Sequence, residues 1–442
     1  MKFHLPDGKI ILEINAMRSI KELSPRDQIV MIMHRMYEQG LTSLSGGNLS
    51  IFDNDDNFWI TPASVDKGNL QSDDIVVFNK NGEFTGKHRP STEYPFHWGI
   101  YKKRPDISAI VHAHSPALIA FSIAGKVPDT HITPVSFQNC GEIGFAAYAS
   151  PGSQELGTTI ADVFAKGFNI VILENHGVVT GGSDLISAYE FMETLEYTAR
   201  TLLYAKSLGE AHRIESLDLL NAWMNPVFTT QVDSIEMETS LLEESKLTLA
   251  KIVQRAYKQH LMFSTSGSAS LRLDAKTFLV TPYGLDRKWL DPEDLVVVQD
   301  QKRTTSHQPS RLVDLHRAIY KKHKDIESIM TAQSPYCTAF AITRMPIDTR
   351  SIPESYILLR HIERVSLAEA MQEPERVANM ISVQSPALMI ENLGVLVTGS
   401  NILQTFDRLE VAEFSARSLI EAKALGGLKP LTDQEIERLN WL

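Results

Sequence analysis

Hydrophobic and polar positions follow two periodicities along this chain, one typical of helices and the other typical of strands. Ser24-Pro25 signals a helix start, and the apolar periodicity after it stops at Gly40. A long amphipathic pattern over 186–207 predicts a helix that closes the first half. Strands are predicted for the short apolar runs at 58–60, 75–78, 109–111 and 169–173. This mixed order predicts an α/β or α+β sandwich with a central sheet.

The pattern of the first half returns in the second half. Thr61-Pro62 recurs as Thr281-Pro282, an offset of 220, and Glu174-Asn175 recurs as Glu391-Asn392, an offset of 217. So small a drift over so long a period indicates two duplicated domains and excludes a solenoid of short repeats. We place the first domain at 15–212 and the second at 235–430.

The composition of the 442 residues narrows the class of protein. With 43% hydrophobic and 22% charged residues the chain is globular, and its net charge of −11 argues against a nucleic-acid partner. No uncharged apolar run approaches the roughly 18 residues of a membrane span, and Met1–Ile20 has no signal-peptide core. Cys140 and Cys337 cannot form a disulfide framework. We therefore expect a cytoplasmic protein with no membrane partner.

Three histidines are candidates for metal binding. His112 and His114 follow the strand at 109–111, and residues two apart in a strand point to one face, so both imidazoles could share one cation. His176 stands at another strand end, where Gly177 lets the backbone turn. Three neutral imidazoles form a ligand set for a catalytic metal with an open position, and they favour Zn²⁺ over Mg²⁺ or Ca²⁺. Mn²⁺, Co²⁺ and Ni²⁺ are the alternatives.

The second copy tests whether these histidines are structural, because structural residues should be kept there. Four candidate side chains are instead lost as a set: His112 becomes Thr331, His114 becomes Gln333, His176 becomes Leu393, and Glu93 becomes Leu312. His97 persists as His316, which is typical of a structural histidine. The four lost residues therefore share one function that the second half lacks.

Glu93 precedes a helix predicted from Tyr94, for which Ser91 or Thr92 is the expected N-cap. The helix dipole alone can explain an acidic residue at this place. Because Glu93 disappears together with the histidines, we interpret it as a fourth metal ligand, a general base, or both in turn.

Small and hydroxyl residues near these positions are candidate anion contacts. Glycines in the loop 45–50 allow backbone N–H groups to approach a phosphate closely. Ser64 and the pair Ser91-Thr92 would add hydroxyl donors, the latter at a helix N-terminus. Taken alone, each of these is an ordinary turn or cap.

Together these motifs resemble the class II aldolase/adducin family, typified by fuculose-phosphate aldolase and ribulose-phosphate 4-epimerase. The matching segments follow the family's order at 45–50, 60–64, 90–93, 112–115 and 174–177. The second half resembles a degenerate copy. The resemblance implies a three-layer α/β/α fold in two tandem copies and one divalent metal per chain, with Zn²⁺ expected on His112, His114 and His176. It implies that Glu93 is the catalytic acid/base, and that a substrate phosphate pocket is formed by Gly47, Asn48, Ser64, Ser91 and Thr92.

The resemblance also implies a reaction and an assembly. We expect a class II aldolase, a lyase that cleaves or forms a C–C bond in a sugar or sugar-phosphate ketose through a metal-stabilised enediolate. Family epimerases tend to carry Asp in place of Glu93, which favours aldol cleavage. Val127–Pro134 lacks the catalytic Tyr that the family takes from a neighbouring subunit, so the proton donor is not identified. Because the family forms cyclic tetramers, we expect a homodimer that makes a pseudo-tetramer.

Two other functions fit the same residues. A sugar-phosphate 4-epimerase or a sugar-acid decarboxylase would use the same metal site. An adducin-like scaffold without catalysis is an alternative of another class, which the intact histidines and Glu93 argue against.

Overall fold

The computed structural model describes residues 3–4, 10–11, 20, 22–225, 230–232, 235 and 239–439. Contacts divide the chain into two compact units. The N-terminal unit comprises Arg18–Thr130 and Val135–Arg200. The C-terminal unit comprises Thr201–Leu442 with His131–Pro134 and Met1–Met17. The domain bounds 15–212 and 235–430 stay predictions, since residue 15 lies outside the described residues.

A two-stranded antiparallel ribbon comes first in the chain, with β1 at Phe3–His4 and β2 at Ile10–Ile11. The first copy then forms an eight-stranded sheet in the order β6-β5-β4-β3-β7-β10-β9-β8. Only β8 and β9 pair in parallel. Its strands are β3 (Asn48–Phe52), β4 (Phe58–Ile60), β5 (Val76–Phe78), β6 (Phe84–Thr85), β7 (Ala109–Ala113), β8 (Gly144–Ala146), β9 (Ile170–Leu173) and β10 (Gly177–Gly182).

Six helices accompany this sheet: α1 (Pro25–Glu38), α2 (Tyr94–Lys103), α3 (Pro116–Ile123), α4 (Pro134–Cys140), α5 (Gln154–Phe164) and α6 (Leu185–Ala205). Helix α1 begins where the sequence predicts, because the Ser24 hydroxyl accepts a hydrogen bond from the Asp27 N–H and Pro25 occupies the first turn. Every residue of the central strands β7, β9 and β10 is buried, so both faces of the sheet are covered.

The second copy repeats this topology. Its nine-stranded sheet has the order β11-β15-β14-β13-β12-β16-β19-β18-β17, which adds only β11 at one edge. The strands are β11 (Thr230–Gln231), β12 (Ser268–Arg272), β13 (Thr277–Val280), β14 (Val296–Gln299), β15 (Lys302–Arg303), β16 (Ser328–Ala332), β17 (Ile362–Val365), β18 (Ala387–Ile390) and β19 (Gly394–Gly399).

The remaining helices are α7 (Leu217–Met224), α8 (Thr239–Lys258), α9 (Val313–Lys322), α10 (Pro335–Thr343), α11 (Pro353–Leu359), α12 (Leu367–Gln372), α13 (Pro374–Ala378), α14 (Ile402–Ala424) and α15 (Asp433–Leu439). In the described part of the chain, no helix is both long and apolar enough to cross a membrane. Cys140 and Cys337 are buried free thiols, as the composition predicts.

Strand register shows that the two copies are equivalent residue by residue. In the first copy Asn48 of β3 faces His112 of β7, and in the second copy Ser268 of β12 faces Thr331 of β16. The predicted duplication and α/β class are therefore confirmed. The register also makes each second-copy residue a matched control for its counterpart in the first copy.

Candidate metal centre

The three candidate histidines converge on one point at the centre of the first sheet. His112 lies in β7, His114 directly follows β7, and His176 lies in the turn between β9 and β10. One nitrogen of each imidazole lies within 4.8 Å of the other two. Strand pairing of β7 with β10 brings together residues that are more than 60 positions apart in the chain. This is the arrangement expected for three ligands of one ion.

The turn that presents His176 depends on two unusual backbone positions. Asn175 adopts a left-handed φ of 54°, as does its counterpart Asn392 with 57°. A Cβ atom at Gly177 would lie 2.5 Å from the Ala113 carbonyl oxygen, so only glycine fits against β7. The His176 N–H donates to the Leu173 carbonyl and to the Ser122 hydroxyl, each at 3.1 Å. These contacts fix the imidazole beside the two others.

Hydrogen bonding settles which nitrogen of His112 is available. Its Nδ1–H donates to the Val178 carbonyl at 2.9 Å, which leaves Nε2 as a lone-pair donor. That Nε2 lies 3.0 Å from the His114 Nε2. Burial, with the charge of His112 as a further cause, lowers the pKa of His114 to about 3, so its imidazole is neutral. Imidazole nitrogens that face each other at this distance could share a cation between them.

Glu93 completes this group. Its carboxylate lies 3.3 Å from the His112 Nε2 and 3.2 Å from the His176 Nε2. Burial raises the pKa of Glu93, but the two imidazoles lower it more, so that the pKa lies well below its usual range. The predicted N-cap by Ser91 or Thr92 is wrong: Glu93 itself is the N-cap residue of α2, and its N–H donates to the Ser91 hydroxyl at 3.3 Å. The turn before α2 thus aims the Glu93 side chain at the histidines.

A chain of buried hydrogen bonds leads to Glu93. The Asn48 Nδ2–H donates to the Glu93 carboxylate at 2.7 Å, and the Asn48 oxygen accepts from the His97 Nε2–H. The His97 Nδ1 therefore accepts from the Ser50 hydroxyl, at 2.7 Å, and Ser50 accepts from Tyr101 at 2.6 Å. Burial lowers the pKa of His97 to about 3, which keeps the ring neutral as this pattern requires.

The sequence interpretation of His97 as a structural histidine overlooked its link to Glu93. The second copy keeps the part of this hydrogen-bond network that is most distant from Glu93. There Ser270 contacts both His316, at 2.8 Å, and Tyr320, at 2.7 Å. In the second copy the hydrogen-bond network ends at Ser268, 3.3 Å from His316, because Leu312 has no carboxylate that could accept a further hydrogen bond. The recurrence of this serine, histidine and tyrosine is the signal that could have identified Ser50.

Replacing Ser50 with alanine should therefore do more than replacing Ser270. Both changes leave a buried histidine nitrogen and a tyrosine hydroxyl without their partner, which costs roughly 1–3 kcal/mol of stability. Only Ser50→Ala also loosens Asn48 and Glu93, so only this variant should lose kcat. Thermal unfolding and steady-state kinetics on both variants measure the two effects. Equal kcat in the two variants would contradict a positioning role for the chain.

The predicted phosphate contacts divide into two groups. Gly47, Asn48 and Ser91 are buried, whereas Ser64 and Thr92 are exposed. Gly47 has a φ of 65°, and a Cβ there would lie 2.6 Å from the His112 carbonyl oxygen. Ser64 also has a left-handed φ of 57°, at the place where the second copy has Gly284. Asn48 uses its side chain to hold Glu93 and His97, so it supports the acid directly.

The second copy has filled the equivalent place with its own side chains. Thr331, Gln333, Leu393 and Leu312 are all buried there. Gln333 accepts a hydrogen bond from the Gly267 N–H at 3.2 Å. No group of three metal-ligating side chains other than His112, His114 and His176 occurs in the part of the chain that the structure describes.

A linker helix, α7, contacts the second copy through Arg311. Arg311, the counterpart of Thr92, lies 3.7 Å from the ring centre of Tyr283 and 5.0 Å from that of Trp223. Its Nε–H donates at 2.5 Å to the carbonyl of Trp223, which is in the last turn of α7. A cation is favoured at the C-terminal end of a helix and above aromatic rings. Arg311 therefore holds the C-terminal end of α7 against the second copy.

Comparison with known proteins agrees with this picture. The family described as class II aldolase and adducin N-terminal domain matches the chain twice, at residues 27–203 and 248–420. A 3-oxo-tetronate 4-phosphate decarboxylase of Haemophilus influenzae is 34% identical over 183 residues, which are 40% of this chain and 87% of that protein. An L-fuculose phosphate aldolase of Methanocaldococcus jannaschii is 34% identical over 178 residues, 40% of this chain and 95% of that protein.

A third relative is similar over the same length. The 5-deoxy-D-ribulose 1-phosphate aldolase of Bacillus thuringiensis is 32% identical over 191 residues, which are 42% of this chain and 87% of that protein. Each relative thus aligns over the length of one copy. The two family matches cover more than half of the chain, and the chain belongs to the class II aldolase and adducin family, with the family's α/β fold in two tandem copies.

Proposed function

We propose that this chain is a divalent-metal-dependent aldolase that cleaves or forms a C–C bond in a ketose carrying a phosphate. The single observation that supports this most is the convergence of three imidazole nitrogens within 4.8 Å, with the Glu93 carboxylate against two of the rings. Residues lost as a set in the second copy thus form one site in the first copy. We propose one metal ion per chain for the same reason.

His112, His114 and His176 would hold the ion, and Zn²⁺ is the metal we expect, with Mn²⁺, Co²⁺ and Ni²⁺ as alternatives. The fit is supported by the neutral state of His114 and by the hydrogen bond that leaves the His112 Nε2 as a lone-pair donor. When bound, such a cation supplies Lewis-acid stabilisation of negative charge that develops on a substrate oxygen.

Glu93 would move the proton at the substrate carbon next to the carbonyl. One carboxylate oxygen is held by Asn48, while the other, Oε1, lies 3.2 Å from the His176 Nε2. The low pKa keeps this carboxylate ionised. Its partners are buried, so the side chain keeps one orientation while the proton moves.

The substrate phosphate would lie where the exposed Ser64 and Thr92 adjoin the buried Gly47 and Ser91. Hydroxyl and backbone N–H donors suit the oxygens of a phosphate, and the start of α2 adds the favourable end of a helix dipole.

The homodimer that makes a pseudo-tetramer stays a prediction.

A decarboxylase is the second candidate. The H. influenzae relative, 34% identical, is a decarboxylase of a 3-oxo acid phosphate. Loss of CO₂ from such an acid leaves the same kind of negative charge next to a carbonyl as aldol cleavage does, so this site would stabilise both.

Product analysis separates these reactions. We expect the purified protein, loaded with Zn²⁺ or Mn²⁺, to release an aldehyde from a ketose phosphate such as fuculose 1-phosphate or 5-deoxyribulose 1-phosphate. Aldehyde is measured by coupled reduction with NADH, and CO₂ by release from a 3-oxo acid phosphate. CO₂ without aldehyde would replace the aldolase by the decarboxylase, and an inverted sugar without fragments would indicate an epimerase. Inactivity of the metal-loaded protein on all these substrates would contradict the proposal.

A further inference from the structure

A cleft of about 810 Å³ opens on the second copy. It lies between β12, α9 and the junction of α12 with α13, and we name it the arginine cleft after Arg272 and Arg317 in its lining. Cavities of this volume are typical of small-molecule sites. Its lining contains none of the residues that replace the metal ligands in the second copy.

At the equivalent place in the first copy, aromatic side chains pack against one another. Phe52 and Trp98 are the counterparts of Arg272 and Arg317. Their rings pack edge to face with centres 5.8 Å apart, and Phe52 stacks on Tyr101 at 5.5 Å. The second copy has thus exchanged two packed aromatic rings for two guanidinium groups. Arg272 takes the place of Phe52 above the tyrosine, 4.7 Å from the ring centre of Tyr320.

A broken helix widens the space further. The first copy has one continuous helix, α5, of 11 residues, where the second copy has the two short helices α12 and α13. Pro374 begins α13 and cannot donate a backbone hydrogen bond to the turn before it. Met371, Gln372 and Pro374 at this break line the cleft. Three separate elements therefore differ from the first copy at the same place.

Part of the guanidinium group of Arg317 lacks hydrogen-bond acceptors in the cleft. One terminal nitrogen of its guanidinium pairs with Asp314. The Nε and the other terminal nitrogen are buried and have no hydrogen-bond partner in the described part of the chain. Guanidinium N–H groups that are buried without an acceptor cost free energy, and a bound anion would satisfy both of them.

The basic side chains that line the cleft slightly outnumber the acidic ones, which favours an anion. Lys276 and Lys324 line it and form no ion pair with a described residue, whereas Lys321 pairs with Glu375 at 3.2 Å. Arg272 donates to three backbone carbonyls, and the nearest carboxylate, that of Glu327, lies 3.9 Å away. The lining acids are Asp274, Asp300, Asp314 and Glu375.

We propose that the arginine cleft binds a small organic phosphate monoester. The phosphate would be held by Arg317 with Lys276 or Lys324, and the organic part would lie against Tyr320 and Met371 at the broken helix. Arg is the side chain best suited to a phosphate, because its planar fork matches two phosphate oxygens. The site is independent of the metal centre and of the reaction proposed there.

Calorimetric titration of the full chain with AMP and with inorganic phosphate tests this. The informative variant is the double change Arg272→Phe and Arg317→Trp, which restores the side chains that pack in the first copy. We expect AMP to bind at least tenfold more weakly to this variant and equally well to His112→Ala, which alters only the metal centre. Inorganic phosphate should bind more weakly than AMP, since it lacks the organic part.

Three outcomes would overturn the proposal. These are the absence of AMP binding to the unaltered protein, unchanged AMP affinity in the double variant, and loss of AMP binding in His112→Ala instead. Inorganic phosphate that binds as tightly as AMP would overturn the assignment of an organic ester. If the double variant does not fold, Arg317→Gln combined with Lys324→Gln removes two positive charges from the proposed phosphate site while leaving the cleft open, and a similar loss of affinity is expected.

Discussion

Replacing Glu93 with glutamine is expected to lower turnover by roughly 10²–10⁴-fold, the usual contribution of a general acid or base. Glutamine has nearly the same shape and can still contact Asn48, so the packing should be kept. It has no carboxylate to accept a proton beside the rings of His112 and His176. The loss should therefore appear in kcat on the substrate found by product analysis, while the metal content stays unchanged.

Glu174→Gln is the matched control for this variant. Glu174 stands two residues before His176, but its carboxylate accepts the Tyr148 backbone N–H at 2.9 Å, so we expect this change to retain most of the activity. Full activity of Glu93→Gln with its metal still bound would remove Glu93 from the mechanism. An equal loss of kcat in both variants would mean that the loss comes from removing a negative charge near the histidines and not from a specific role of Glu93.

Replacing His112 with alanine should abolish stoichiometric metal binding. Elemental mass spectrometry on protein purified without a metal-affinity tag is expected to find about one divalent ion per chain before the change, as for a single three-histidine site. After the change the remaining two imidazoles hold the ion too weakly to survive dialysis. Activity should fall with the metal and should not return when the metal is added at stoichiometric concentration.

Thr331→Ala provides the control at the same register position of the second sheet. It should leave both metal content and activity unchanged, because Gln333 and Leu393 stand where the other two ligands would be. Metal that persists in His112→Ala would place the ion elsewhere. Metal absent from the unaltered protein, even after reconstitution, would favour the scaffold alternative.

The sequence could locate the candidate metal centre because its two copies can be compared with each other. His112, His114, His176 and Glu93 are recognisable as one group from their joint loss in the second copy, and strand pairing then brings them together. Helix α1 was likewise predictable, since Ser24 and Pro25 are local signals that need no tertiary context.

Other features depend on contacts that no local pattern encodes. Ser91 and Thr92 are good N-cap residues by type, yet the backbone places Glu93 at the cap, where Asn48 of β3 holds its side chain. The link from Ser50 through His97 to Asn48 joins a strand to a helix almost 50 residues later. The contact of Arg311 with Trp223 joins residues 88 positions apart. Each of these follows from sheet register and packing, which the linear pattern does not contain.

The contact of Arg311 with helix α7 also bears on whether the second copy could regain a metal site by mutation. A duplicated enzyme domain that has merely lost its ligands can regain them by a few reversions. Here Leu312, Thr331, Gln333 and Leu393 would all have to revert, and Arg311, bound to the Trp223 carbonyl, would still stand where the first copy has Thr92. No single one of these reversions restores three imidazoles, so none of them alone would be favoured for metal binding. A return to a three-histidine site in the second copy therefore needs several changes that bring no such benefit one at a time.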